Sequence, residues 1–84
     1  MMGNSRFPGR AGINVAVTGV SGYIGSCLVA ALSRLPEIGK IAGVDVRRPV
    51  VNLPKLCFYQ RDILEPLDDV FRQNQVDTVV HLAF

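Results

Sequence analysis

The stretch VAVTGVSGYIG, residues 15–25, decides how this chain folds. An apolar, β-branched segment leads there into three glycines spaced three residues apart, Gly19, Gly22 and Gly25. A strand that turns sharply into a helix needs positive φ, and a side chain at such a turn would hold a diphosphate away from the main chain. The stretch therefore predicts a strand, a tight glycine turn and a helix whose first N–H groups face a phosphate-bearing ligand.

Each glycine is expected to have its own task. Gly19 would form the tight turn, Gly22 would let a pyrophosphate approach the main chain, and Gly25 would let the helix pack against the first strand. The partial positive charge at the helix N-terminus then favours phosphate without a lysine.

Asp45 lies about twenty residues after Gly25, the spacing typical of a carboxylate that accepts hydrogen bonds from an adenosine ribose. An acid at this position repels a 2′-phosphate, so the sequence favours NAD as the cofactor. Arg47 and Arg48 follow immediately, and guanidinium groups bind phosphate well, so NADP stays the alternative.

Apolar runs and helical spacing extend the pattern along the chain. The predicted strands are residues 13–18, 40–46, 56–60 and 78–83. The predicted helices are residues 23–35, ended by Pro36, and a helix of about two to three turns with Pro66 at its first position. The apolar face of the first helix would be Ile24, Cys27, Leu28, Ala31, Leu32 and Leu35.

Strands that alternate with helices predict a parallel sheet with right-handed crossovers. The expected fold class is α/β: a partial Rossmann fold with strand order 3-2-1-4 and one helix on each face. Residues 1–12 show no periodicity and would be a flexible lead-in, and residues 13–84 would be a truncated NAD(P)-binding Rossmann domain.

Composition excludes several classes of function. The chain has 84 residues, is 49% hydrophobic and carries a net charge of +2 from scattered basic residues, so nucleic-acid binding is not expected. Cys27 and Cys57 would be reduced, buried thiols of a cytoplasmic protein, and no metal site is predicted.

Residues 11–33 carry no charge and follow Arg6 and Arg10, a pattern also found in signal peptides and membrane spans. Glycines and hydroxyl side chains interrupt this stretch where the strand-turn-helix interpretation expects them. The sequence therefore favours a cytoplasmic protein without a membrane segment, with a secreted or membrane peptide as the alternative.

Four features together resemble the NAD-dependent epimerase/dehydratase group of the extended short-chain dehydrogenase/reductase superfamily. They are TGVSGYIG at residues 18–25, Asp45, RDI at residues 61–63 and HLA at residues 81–83. The resemblance implies that Asp62 contacts the adenine amino group, that Ile63 packs against the ring, and that Leu82-Ala83 runs beneath the cofactor. His81 would be structural or solvent-facing and not a catalytic base.

Spacing and resemblance together nominate one set of cofactor-binding residues. They are Gly19, Gly22, Tyr23, Ile24, Gly25, Asp45, Val46, Arg47, Asp62, Ile63, Leu82 and Ala83.

Catalysis in this family depends on a tyrosine four residues before a lysine, and neither Tyr23 nor Tyr59 is followed by one at that distance. No catalytic residue is therefore predicted, and the chain alone should be inactive. The resulting hypothesis is the NAD(P)-binding N-terminal portion of an NAD-dependent epimerase/dehydratase-like oxidoreductase, whose full-length form would act on a nucleotide sugar or similar alcohol. The alternative is a non-catalytic dinucleotide-sensing or protein-interaction module.

The last predicted strand would stand at an open edge of the sheet and is rich in apolar residues. Such an edge invites pairing with another chain. We expect the isolated chain to be marginally stable, to aggregate or to pair with a partner, and a homo-oligomer through this edge is one such pairing.

Overall fold

The computed structural model of the chain describes residues 12–83. Strands and helices follow one another in the order β1 (Ile13–Thr18), α1 (Tyr23–Ser33), β2 (Ile38–Asp45), β3 (Leu56–Gln60), α2 (Asp68–Gln73) and β4 (Thr78–His81). The expected flexible lead-in falls outside the described residues, except for Gly12.

The four strands form one parallel sheet in the order β3-β2-β1-β4, which confirms the predicted topology. Thr18 at the end of β1 pairs with Val44 on one side and with His81 on the other. Asp45 at the end of β2 pairs with Gln60 of β3. The carboxyl ends of all four strands therefore meet along one edge of the sheet, where the connecting loops begin.

Two apolar clusters cover the two faces of the sheet, because successive side chains of a strand point to opposite faces. Val15 and Val17 of β1 pack with α1, whereas Ala16 between them packs with α2. The cluster beside α1 contains Val15, Val17, Val20, Val29, Ile38 and Ile41. The cluster beside α2 contains Ala16, Ala42, Val44 and Val70. The expected placement of one helix on each face is confirmed.

The loop between β2 and β3 covers part of the sheet where a crossover helix is missing. Val51 and Leu53 from this loop pack against the cluster beside α1. Lys55 closes the loop, since its Nζ donates to the carbonyl oxygens of Leu35 at 2.9 Å and Ile38 at 2.7 Å. These contacts cover part of this flank of the sheet.

Several predicted element boundaries were wrong by two residues. The helix α1 ends at Ser33 and not at residue 35, because the following N–H groups bond back only three residues. The strand β2 begins at Ile38, since an irregularity in the pairing of β1 with β2 accommodates Gly39. The strand β4 ends at His81, although the N–H of Leu82 still donates to the carbonyl of Thr18 at 3.0 Å.

The second helix is shorter than expected. It has six residues and begins at Asp68, so Pro66 lies before the helix and not at its first position. Asp68 and Asp69 occupy the first turn, where negative charge is favourable.

The buried face of α1 also differs from the prediction. Gly25 and Val29 are buried, whereas Ile24 is 67% exposed and Cys27 is exposed. Cys57 is exposed as well, so the expectation of two buried thiols was wrong. In α1, Ile24 and Cys27 point outward because the small Gly25 faces the turn that precedes the helix.

Candidate functional site

The turn after β1 has the conformation that the glycine spacing predicts. Gly19 has a φ of +76°, a left-handed value that side-chain-bearing residues rarely adopt. Its N–H donates to the carbonyl of Val44 at 2.8 Å, which fixes the turn at the end of β2. A Cβ at this position would lie 2.8 Å from the main-chain nitrogen of Ala83. Gly19 therefore serves both the turn and the close passage of Leu82-Ala83.

The other two glycines of the motif have opposite surroundings. A Cβ on Gly25 would overlap the carbonyl oxygen of Gly19 and lie 2.9 Å from Val20, so the first helical turn rests on the glycine turn. The expected packing partner is thus this turn and not the strand itself. A Cβ on Gly22 would meet only the Gly19 oxygen, at 3.7 Å, so the space beside Gly22 is open.

The first turn of α1 presents main-chain donors to this open space. The N–H of Ser26 donates to Gly22 at 2.9 Å, but the N–H groups of Tyr23, Ile24 and Gly25 have no hydrogen-bond partner within residues 12–83. No acidic side chain lies in this turn. Unpaired N–H groups and the helix dipole together favour an anion at this point.

A cavity of about 440 Å³ lies at this helix end. We call it the glycine-turn cavity; its lining residues are Gly19, Gly22, Tyr23, Ile24, Gly25 and Leu82. All of them belong to the predicted cofactor-binding set. Tyr23 is 85% exposed, so the cavity is bordered by apolar side chains that solvent reaches.

Asp45 is tied to the glycine turn through a closed ring of hydrogen bonds, the Ser21–Asp45–Arg47 ring. The N–H of Ser21 donates to Asp45 Oδ2 at 3.0 Å, and the N–H of Arg47 donates to Asp45 Oδ1 at 3.2 Å. The Ser21 hydroxyl donates to the carbonyl of Arg47 and completes the ring. The carboxylate is half-buried, and each of its oxygens keeps further acceptor capacity.

A second cavity, of about 250 Å³, lies where β2 and β3 end. We call it the Asp62 cavity; its lining residues are Val46, Gln60, Arg61, Asp62 and Glu65. Gln60 Nε2 donates to the carbonyl of Val46 at 3.1 Å and so joins the two loops.

Asp62 is held in a local turn at this cavity. Its Oδ1 accepts from the N–H of Leu64 at 2.9 Å, and its own N–H donates to Glu65 Oε1 at 2.8 Å. These bonds fix the carboxylate at the rim with capacity for a further donor.

An ion pair between Arg61 and Asp69 holds the loop that carries Asp62. Arg61 makes two hydrogen bonds to Asp69, at 3.1 and 2.8 Å. The hydrogen bond from Arg61 lowers the pKa of Asp69 to about 2, and the same contact raises the pKa of Arg61. The pair joins the start of α2 to the loop that carries Asp62.

The two arginines after β2 have different surroundings. The guanidinium of Arg48 lies over the ring of Phe58, 5.6 Å from its centre, which is a cation–π contact. Arg47 is exposed, and its main chain is held in the ring with Asp45.

His81 is exposed and contacts the end of β1. Its Nδ1 lies 2.6 Å from the hydroxyl oxygen of buried Thr18, which links the ends of β1 and β4 just before the glycine turn.

The structure brings most of the predicted residues to the two cavities or the ring between them. Ala83 contacts the Gly19 turn, but Ile63 lines neither cavity. Sequence reasoning missed Ser21, Gln60, Arg61 and Glu65. Arg61 carried a signal as the neighbour of Asp62, and Ser21 lies inside the glycine motif. Glu65 acts through a local bond to the N–H of Asp62, whereas Ser21 and Gln60 act through contacts between segments far apart in the chain.

Within residues 12–83, no group of three or more potential metal-binding side chains comes together. In the same part of the chain, neither helix combines the length and the apolar character that a membrane span requires.

Comparison with known proteins agrees with this geometry. The model of the NAD dependent epimerase/dehydratase family matches residues 15–84. The chain is 32% identical over 81 residues to the dTDP-glucose 4,6-dehydratase of Haemophilus influenzae, covering 84% of this chain and 24% of that protein. It is also 35% identical over 74 residues to uncharacterized proteins of Mycobacterium bovis and Mycobacterium tuberculosis, covering 82% of this chain and 20% of each.

The chain therefore spans about a quarter or less of the length of these relatives. The family match covers both cavities and the ring that joins them. This chain belongs to the NAD-dependent epimerase/dehydratase family.

Proposed function

We propose that this chain is the NAD(P)-binding N-terminal portion of an epimerase/dehydratase-like oxidoreductase, and that residues 13–84 are the corresponding part of a Rossmann domain. The observation that carries the proposal is the first turn of α1. Its unpaired N–H groups at Tyr23, Ile24 and Gly25 face a cavity beside open Gly22. A diphosphate has the charge and the acceptor oxygens that this surface needs.

The surrounding residues fit the rest of a dinucleotide. Asp45 would accept the adenosine ribose hydroxyls, and the Asp62 cavity would receive the adenine, with Asp62 as acceptor for its amino group. Val46, which lines the Asp62 cavity, would supply apolar contact to the adenine, and Leu82-Ala83 beside the glycine turn would contact the cofactor on its protein side. Ile63 lines neither cavity and is given no contact in this proposal. When bound, the nicotinamide ring supplies hydride transfer.

We propose NAD in preference to NADP. The carboxylate of Asp45 is held at the ring by two main-chain donors, so a 2′-phosphate beside it would be repelled. Arg48 is already in contact with Phe58. Arg47 alone of this arginine pair is then available to a 2′-phosphate, which weakens the case for NADP.

For the whole protein we propose oxidation and reduction at a carbon of a nucleotide sugar, the class to which the substrate named for the Haemophilus influenzae relative belongs. The 84 residues contain no tyrosine four residues before a lysine, so the chain alone should not turn over substrate. Cys27 and Cys57 are exposed and unpaired, which favours a reducing, cytoplasmic location.

We also propose that the free edge of β4 pairs with a strand of a second copy of this chain. The strand is the outermost of the described sheet on its side, and Val79 is 46% exposed. A homo-oligomer formed through this edge would elute in size-exclusion chromatography at a mass above 9.1 kDa that falls on dilution. A single species of monomer mass at all concentrations would contradict it.

Calorimetric titration with NAD and NADP tests the binding proposal on the wild type and on Asp45→Ala. Glu37→Ala is the matched control, because it removes an exposed acid outside the proposed site. We expect the wild type to prefer NAD, and Asp45→Ala to weaken NAD binding by about 1–3 kcal/mol, the scale of a hydrogen bond to a charged group. Glu37→Ala should bind like the wild type. No binding of either dinucleotide by folded wild type would overturn the proposal, and a wild-type preference for NADP would reverse the choice of cofactor.

A further inference from the structure

Ser21 contacts the end of β2 in two ways, although the motif assigns no task to its side chain. Its N–H donates to Asp45 Oδ2, and its hydroxyl donates to the carbonyl of Arg47. Any residue at this position could supply the N–H. Only a side chain with a donor can supply the second bond.

We propose that the Ser21 hydroxyl is a specificity-determining feature that positions Asp45 and Arg47 to accept an unmodified adenosine ribose and to reject a 2′-phosphate. This inference rests on the proposed dinucleotide function.

Two N–H groups fix the direction of the Asp45 carboxylate. The two oxygens of Asp45 accept from N–H groups of two different loops, at 3.0 Å from Ser21 and at 3.2 Å from Arg47. A carboxylate held from both sides loses rotational freedom about its side-chain bonds. Its unused lone pairs then keep one orientation for the ribose hydroxyls, and its charge keeps one position opposite a 2′-phosphate.

The main chain of Arg47 makes two hydrogen bonds in the Ser21–Asp45–Arg47 ring. Within the ring, this residue donates its N–H to Asp45 and accepts the Ser21 hydroxyl at its carbonyl. Without the hydroxyl, the Arg47 carbonyl is released and the bond from the Arg47 N–H to Asp45 weakens with it. Asp45 then keeps the bond from the N–H of residue 21 as its one firm anchor and gains rotational freedom, and the exposed Arg47 guanidinium gains reach.

The consequence differs between the two cofactors. NAD loses a preorganised acceptor, whereas NADP loses a fixed repulsive charge and gains a mobile arginine. Arg48 does not compensate in either case, because its guanidinium is engaged over Phe58.

The test compares the dissociation constants of NAD and NADP, by calorimetry on the full chain, for the wild type, Ser21→Ala and Ser21→Thr. Ser33→Ala is the matched control, since the Ser33 hydroxyl also donates to a main-chain carbonyl, that of Val29 at 2.9 Å inside α1. We expect Ser21→Ala to lower the ratio of the NADP constant to the NAD constant by roughly fivefold, the size of one neutral hydrogen bond. Ser21→Thr keeps a hydroxyl and should restore the ratio, and Ser33→Ala should leave it unchanged.

If the wild type binds NAD but the ratio of the two dissociation constants is unchanged in folded Ser21→Ala, this inference is overturned and the proposed function stands. A folded wild type that binds neither dinucleotide would overturn both. A loss of affinity that is equal for the two cofactors would assign Ser21 a purely structural role and also overturn it. If Ser21→Ala is too unstable to titrate, Ser21→Cys, whose thiol is a weak donor, should shift the ratio in the same direction.

Discussion

The glycine-turn cavity and the Asp62 cavity lie along the same edge of the sheet, but different parts of the chain build them. The first is lined by three glycines and by the residues Tyr23, Ile24 and Leu82, and its key donors are the N–H groups that open α1. The second is lined by side chains from two loops, with Gln60, Asp62 and Glu65 bonded to neighbouring main chain. We infer that the first contributes most of the affinity for a dinucleotide and that the second selects its base.

The largest expected effect of a substitution is on the glycine-turn cavity. Gly22→Val should weaken NAD binding by about a hundredfold, because its side chain would cover the N–H groups proposed to bind the pyrophosphate, each a charge-assisted bond of about 1.5–3 kcal/mol. The open space beside Gly22 allows the chain to fold, with a loss of about 1 kcal/mol or less from the poorer helix cap. Calorimetry and thermal melting measure the two effects. Unchanged affinity would remove the pyrophosphate from this cavity.

Gly25→Ala should lower the stability of the fold. Its methyl group would overlap the Gly19 carbonyl, so the helix must move off the turn, at a cost of about 1–3 kcal/mol in the free energy of unfolding. Urea denaturation measures this loss, with Gly22→Ala as the control that adds the same methyl group where space is open. Equal stability of the two variants would contradict the close packing of α1 on the turn.

The Asp62 cavity should show a smaller effect that depends on the base. Asp62→Ala should weaken NAD binding by about 0.5–1.5 kcal/mol, the net worth of one hydrogen bond. Nicotinamide hypoxanthine dinucleotide lacks the adenine amino group, so its affinity should not fall in this variant. Asp68→Ala removes a nearby acid outside the cavity and should leave both affinities unchanged. An equal loss for the two dinucleotides would contradict the contact with the amino group.

The smallest effect is expected at the ion pair below the Asp62 cavity. Ionised Asp69 is stabilised in the fold, because its hydrogen bond from Arg61 lowers its pKa from 3.8 to about 2. Its contribution is thus present above about pH 4 and is lost as the pH falls toward 2. The difference in unfolding free energy between the wild type and Asp69→Asn should shrink over this interval, and 0.5 M salt should weaken it at neutral pH. If this difference in unfolding free energy does not change with pH, the ion pair does not contribute to the stability of the loop.

The glycine turn could be predicted from sequence because its determinants are local. Gly19 is required by a positive φ and Gly25 by contact with a turn only a few residues away, so the spacing of the glycines encodes the geometry. Strand order followed from alternation and handedness. The choice of Asp45 as the carboxylate near the end of β2 followed from its distance to Gly25, although the predicted strand ended one residue later, at Val46.

The remaining features depend on contacts between segments far apart in the chain. No local pattern indicates that Ser21 bonds to Arg47, or that Gln60 reaches the carbonyl of Val46. The exposure of Cys27 depends on how α1 rotates to place Gly25 against the turn, which helical spacing alone does not fix. The ends of some elements differ from the predicted ends because they also depend on distant contacts. The strand β2 begins at Ile38, where pairing with Ile13 of β1 begins, and not where the apolar run begins.

The most direct test is an NMR titration of the ¹⁵N-labelled chain with ADP, which carries the diphosphate without the nicotinamide, and with adenosine, which carries no phosphate. The account predicts that ADP shifts the amide resonances of Tyr23, Ile24 and Gly25, and that adenosine leaves these unshifted while it perturbs those near Asp62. Saturable ADP binding without a change at the three amides, or equal shifts with adenosine, would contradict it.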